Sequence, residues 1–176
     1  MHGTAPLLVH LSASASRDDV AILSYTWSFP DEDAEPCTGM EIERQYERSG
    51  AFVVQLTVVD SAGQSATAET VVTVDNLSPI ASCRFSNDAP VPAESVLFDG
   101  SASYDADGEL VDFIWDFGDG TVQRGTRVSH AYDAIGVYTV QLTVVDNGGA
   151  TGIVTHTMTV HVATPGGGCS GGGCRG

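Results

Sequence analysis

Phe52–Asp60 reads FVVQLTVVD, and Tyr138–Asp146 reads YTVQLTVVD, 86 residues further along the chain. Each stretch alternates. Phe52, Val54, Leu56 and Val58 point one way and Val53, Gln55, Thr57 and Val59 the other, which is the two-residue period of a β-strand with one buried face. The match extends outward. Gly50 and Tyr46 recur as Gly136 and Tyr132 at the same offset. Tyr25–Phe29 (YTWSF) recurs as Phe113–Phe117 (FIWDF) at an offset of 88, and Ser14–Ser16 as Ser101–Ser103 at 87. Kept order at a nearly constant spacing marks an internal duplication. The 176 residues therefore divide into two copies, 1–75 and 77–163, followed by a Gly- and Cys-rich tail, 164–176, expected to be flexible.

The same alternation recurs through both copies. Val111, Phe113, Trp115 and Phe117 share a face, as do Val140, Leu142 and Val144, and as do Val154, His156, Met158 and Val160. Leu23, Tyr25, Trp27 and Phe29 form the first copy's counterpart, and Ala68, Thr70, Val72 and Val74 a further strand. Gly118-Asp119-Gly120 and Asn147-Gly148-Gly149 supply turn residues that tolerate positive φ. Many short strands with no helical period predict an all-β chain of two Ig-like antiparallel β-sandwiches in tandem.

Composition narrows the function. Net charge is −16, all seven basic residues are arginine, and the charge is shared evenly between the copies. Nucleic acid and anionic membrane both require a basic face and are excluded as partners on that ground. No run of 18 apolar residues is present, so no membrane insertion by this chain is expected. Met1–Pro6 has neither a basic nor an apolar leader region, so any signal peptide is expected outside this chain. Cys37, Cys83, Cys169 and Cys174 lack zinc-site spacing and allow three pairings; Cys169 and Cys174 are close enough to pair locally, and Cys83 alternates with Ala81 and Phe85 on one strand face, where a buried thiol is expected.

Several runs in the second copy carry a family resemblance. Phe98-Asp-Gly-Ser-Ala-Ser103 and Asp105-Ala-Asp-Gly108 come first, followed by Trp115-Asp116-Phe117-Gly118-Asp119-Gly120-Thr121. His130-Ala-Tyr132, Gly136-Val-Tyr138 and Leu142–Asp146 complete the set. Together they resemble a polycystic-kidney-disease (PKD) domain. The first copy is a divergent relative in which Trp27-Ser-Phe29-Pro-Asp-Glu-Asp33 replaces the central motif and Tyr46 stands for Tyr132. Only six residues precede Leu7–Leu11, the match to Val96–Gly100, so the first strand of copy one is expected to be missing or supplied by another chain. The resemblance implies an Ig-like sandwich, an extracellular or cell-surface setting, and a role in protein or polysaccharide contact or as a spacer.

Calcium is the sharpest chemical expectation. Asp105 and Asp107 flank one turn, and Asn76 opens the segment expected beside it. Ca2+ takes six to eight oxygen ligands, and the resemblance implies a site of this kind. A plain Asx-turn is the alternative. Asp116 and Asp119 read as turn residues of a structural motif rather than paired catalytic acids, and Tyr132 as a structural corner tyrosine. No nucleophile elbow, His-Glu-x-x-His or phosphate loop occurs, so no enzyme is expected. The reading is a noncatalytic extracellular binding, adhesion or spacer segment with a protein or polysaccharide ligand. Its alternatives are a polysaccharide-binding accessory to a secreted hydrolase, and a surface-fibre subunit assembled by strand exchange.

Overall fold

The computed structural model describes residues 1–30 and 34–162. Asp31–Asp33 and the tail with Cys169 and Cys174 lie outside the described residues. The described chain is all-β and antiparallel apart from one short parallel pair, as two Ig-like sandwiches require.

In the first copy the strands are β1 (His2–Thr4), β2 (Leu7–Ser12), β3 (Ile22–Ser28), β4 (Cys37–Thr38), β5 (Glu41–Tyr46), β6 (Gly50–Asp60) and β7 (Ser65–Asp75). They form one sheet in the order β1-β7-β6-β3-β4 and a second of β2-β5. In the second copy they are β8 (Arg84–Phe85), β9 (Val96–Asp99), β10 (Leu110–Asp116), β11 (Val122–Arg124), β12 (Arg127–His130), β13 (Gly136–Asp146) and β14 (Thr151–Val160). These build sheets β11-β10-β13-β14 and β12-β9-β8. By compactness the chain forms two units. One holds Met1–Ile80 with Tyr104–Val111 and Val145–Gly152; the other, among the described residues, holds Ala81–Ser103, Asp112–Val144 and 153–162.

The quoted repeat fills both cores. Trp27, Phe29, Tyr46, Val54, Val72 and Leu11 are buried in the first copy. Trp115, Phe117, Phe98, Tyr132, Leu142 and Val144 are buried in the second. Burial obliges each indole N–H to find an acceptor. Trp27 Nε1 donates to Gly39 O at 2.9 Å, and Trp115 Nε1 to Gly125 O at 3.0 Å. Tyr132 is 1% exposed, and its hydroxyl donates to Phe117 O at 3.1 Å. Tyr132→Phe deletes that buried bond and strands the carbonyl, so chemical denaturation of the variant is expected to show a loss of about 1–2 kcal/mol.

Several expectations are corrected. The first copy is not wholly without a first strand: His2–Thr4 pairs parallel with Thr73–Asp75 of β7. What is missing among the described residues is a counterpart of β8 beside β2, which pairs only with β5. Leu23 is 70% exposed instead of facing the core, because the β3–β6 register shifts between Ile22 and Ser24 and turns it outward. Val111 is also exposed; β11 reaches only Ile114–Asp116 and leaves the start of β10 uncovered. Cys83 is half-buried rather than sealed in a core. Ala68 and Thr70 are exposed, while Val72 and Val74 further along β7 are buried.

Candidate functional site

The Trp-motif residues do structural work. Asp116 is exposed, and its Oδ1 accepts the Gly118 N–H at 2.9 Å. Asp119 Oδ1 accepts the Thr121 N–H at 2.9 Å, and its Oδ2 lies 2.7 Å from His130 Nε2. Burial opposes ionisation of Asp119, but the Thr121 N–H and His130 outweigh it and hold the carboxyl below its ordinary value. Gly118 and Gly120 have φ of 75° and 93°. A Cβ at Gly118 would press on the Thr139 backbone at 2.5 Å, so the turn requires glycine twice over. His130 stacks on Phe117 at 4.1 Å between centroids, and in the first copy Arg44 takes that place, 3.8 Å from the Phe29 centroid. These groups clasp a hairpin; they do not form a reactive pair.

The three residues singled out for calcium belong to one compact unit, with Asn76 bonded to Asp146 and its neighbour Leu77 to Asp107. In that unit the connector Asn76–Leu77 joins the Tyr104–Val111 and Val145–Gly152 loops. Asp107 is 4% exposed, and its two oxygens accept the Leu77 N–H at 3.2 and 3.3 Å. Asp105 Oδ1 accepts the Asp107 N–H at 3.2 Å. Asp105 Oδ2 is buried, and no donor among the described residues reaches it. Asn76 Nδ2 donates to Asp146 Oδ2 at 2.9 Å, while its Oδ1 accepts the Ser49 hydroxyl at 3.1 Å.

Two participants escaped the sequence reading. Asp146, 1% exposed, closes the site, and Asn147 Oδ1 accepts the Glu109 N–H at 3.1 Å. The signal was present: the repeated FVVQLTVVD and YTVQLTVVD both end in aspartate, and Asp60 is 4% exposed like its counterpart. Asp60 Oδ1 accepts the Ala62 and Gln64 N–H groups at 2.8 Å, so the aspartate has a turn-closing role in both copies. In the first copy Val20 stands where Asp107 does in the second, and the oxygen set is not reproduced there.

Electrostatics single out Asp105. Burial pushes its carboxyl above the ordinary value, and the charges of Asp107 and Asp146 push the same way. Asp146 goes the other way: burial raises it, but bonds from Asn76 and the Ala150 and Gly148 N–H groups prevail and hold it low. Asp105 is thus the acid whose negative charge is least compensated. Among the described residues no group of three or more His, Cys, Asp or Glu is arranged to hold a metal ion. Hard cations also draw on amide and carbonyl oxygens, and Asn76 and Asn147 bring amides to this spot. A polar cavity of about 420 Å³ opens onto Asp107, Gly108 and Asn147.

Two packed sheets in each copy, a Trp-centred core and a hairpin clasp define a β-sandwich module repeated twice. The chain belongs to the PKD-domain family, whose model matches residues 3–74 and again 76–162. It is 40% identical over 67 residues to a microbial collagenase of Vibrio alginolyticus, covering 38% of this chain and 8% of that one. It is 31% identical over 144 residues to the pre-pro-metalloprotease PrtV of Vibrio cholerae, covering 81% of this chain and 15% of that one. A solved structure from a study of carbohydrate-binding modules of the β-sandwich superfamily matches with a TM-score of 0.50 and 39% identity, over 51% of this chain and 37% of that one. The chain thus spans a small part of the length of these proteins. This kinship supports an extracellular context for the parent protein. No helix among the described residues is long and apolar enough to cross a membrane.

Proposed function

We propose that the chain is a spacer and binding segment of a secreted or surface-attached protein, and that calcium stiffens it at the connector. The observation that carries this reading is the buried, donorless Oδ2 of Asp105 among the oxygens of Asp107, Asp146 and Asn147. A cation there would neutralise the crowded carboxylates. It would also draw Asn76 in by a flip of its amide, so that Oδ1 replaces Nδ2 and Ser49 becomes an acceptor. The connector would then be held to both loops. Calorimetric titration of the chain with CaCl2 is expected to show one site in the range of about 0.1–1 mM usual for extracellular modules. Absence of binding at 10 mM calcium, or equal binding of Mg2+, which tolerates only near-octahedral geometry, would remove the calcium part of the reading and leave an Asx-turn.

For the ligand, the kinship points to accessory contacts with protein or polysaccharide. Among the described residues Tyr104 is the one exposed Phe, Tyr or Trp ring, at 54%, so a stacking platform of several rings for sugar is not supported. Contact with protein is favoured.

Strand exchange is a second reading, favoured by the unfilled place beside β2. In the second copy β8 pairs with β9, and Leu142 and Val144 are 1% and 0% exposed. Their counterparts Leu56 and Val58 are only half-buried and line a cavity of about 210 Å³ with Ala66 and Ala68. An open edge over uncovered core residues invites a strand. A peptide with the sequence of Pro79–Asn87, added in trans, is expected to raise the melting temperature of the first copy and to protect the β2 amides from exchange. No rise at millimolar peptide would end the strand-exchange reading.

A further inference from the structure

The chain has few cations, and two of them meet at one place. Arg84 on β8 and Arg127 on β12 are both register partners of Asp99 on the intervening β9. Arg127 Nε donates to Asp99 Oδ2 at 2.9 Å, and its Nη2 reaches Ser101 Oγ at 3.5 Å. Asp99 is further held by the Ser101 N–H at 2.9 Å. Ser101 and then Arg127 keep its carboxyl below the ordinary value. Asp99 is therefore committed, while the Arg84 guanidinium has no ion pair or hydrogen bond among the described residues. The ladder encloses a concavity of about 220 Å³ lined by Arg84, Asp99, Ser101, Ala102 and Arg127, with two positive charges against one negative. The first copy has no such feature: strand pairing aligns Val9–Ser12, and not Leu7–His10 as the sequence match has it, with Val96–Asp99, so Ser12 stands for Asp99 and Glu41 for Arg127, and the two are register partners.

We propose that this concavity is a carboxylate-binding subsite through which the second copy grips an acidic side chain of an extended protein ligand. A guanidinium fork matches a carboxylate in two parallel hydrogen bonds, and Arg127 places a second positive charge beside it. Three observations define the ligand. No aromatic ring lines the site, so there is no platform for a sugar face. With a net charge of −16 the chain repels a polyanion but tolerates one isolated carboxylate. And β8 ends its sheet, so its outer backbone edge can accept an extended peptide alongside Arg84.

The test is a titration of the isotope-labelled chain with two capped peptides, acetyl-TVEVT-amide and acetyl-TVQVT-amide, followed by amide chemical shifts at low and high salt. The glutamate peptide is expected to shift Arg84, Ser101 and Arg127 saturably and more weakly at high salt. The glutamine peptide is expected to bind about tenfold less well, in line with loss of a charge-assisted pair. Arg84→Gln, at an exposed position where the fold can be checked from the unliganded spectrum, is expected to abolish the difference between the two peptides. Equal binding of both peptides, shifts centred elsewhere, no shifts, or a response to sodium glucuronate but not to the glutamate peptide would each overturn the proposal.

Discussion

In EDTA at pH 7 the Asp105→Asn chain is expected to melt no lower than the wild type, and in 10 mM calcium well below it. The inversion follows from the opposite demands that proton and metal make on one buried oxygen. A carboxyl whose folded-state value lies above its unfolded value favours the folded state below the unfolded value, and loses that favour as pH rises through the folded one. Asp105 is such a carboxyl, raised first by burial and then by Asp107 and Asp146. At neutral pH without metal it is a charge held where a proton is preferred. Asparagine keeps the Oδ1 that accepts the Asp107 N–H and places a donor where Oδ2 stood, facing acceptors. In calcium the wild type gains binding energy that asparagine cannot match. With a ligand at about 100 times its dissociation constant that gain is about 2.7 kcal/mol, on the order of 10 °C for a domain of this size. Scanning calorimetry of both proteins in both buffers reads the four temperatures. A variant that loses stability equally with and without calcium would show that Asp105 is only a turn residue.

Trp115→Ala is expected to unfold the second copy and leave the first folded. Trp115 is 0% exposed, packs edge-on against Phe98 at 5.6 Å between centroids, and closes the β11–β12 loop through Gly125 O. A buried tryptophan cut to alanine costs about 3–5 kcal/mol. A module of roughly 85 residues has on the order of 4–13 kcal/mol in all. The Gly125 carbonyl is also left without its donor, and Gly100, whose Cβ position touches Leu142, Phe113 and Trp115, no longer has the indole to pack on. Each copy contains one tryptophan, so fluorescence separates the two. In the variant the remaining Trp27 signal is expected to keep its wild-type denaturation midpoint, while backbone signal from the second copy is lost at low denaturant. Loss of both transitions together would mean that the copies fold as one cooperative body.

Much of this was legible in the residues alone. The duplicated strand, the alternation, and the Trp-x-Phe run placed Trp27, Phe29, Trp115 and Phe117 in the cores, because burial on a strand follows a period that sequence displays directly. The Asp105–Asp107 turn was also legible, in the spacing of two aspartates before a glycine. The repeat marked Asp146 as the counterpart of Asp60 but not its partner, because an acid at the end of an apolar strand reads as a turn residue, and only the folded loops bring it beside Asn76. Leu23 misled because a bulge changes the side of the sheet without changing the sequence period. The parallel pairing of His2–Thr4 had no local signature, since three residues carry no period. The Arg84–Asp99–Arg127 ladder depends on the register of three strands, and register is set by long-range pairing.

The central claim, that a cation closes the oxygen cluster onto the connector, is tested most directly by following the Asn76 side-chain amide in NMR spectra during a calcium titration. The account predicts a large shift of that amide and of the Gly148 backbone N–H, complete at one calcium per chain and absent in Asp105→Asn. Unmoved Asn76 resonances at saturating calcium, or shifts that persist in the variant, would contradict it.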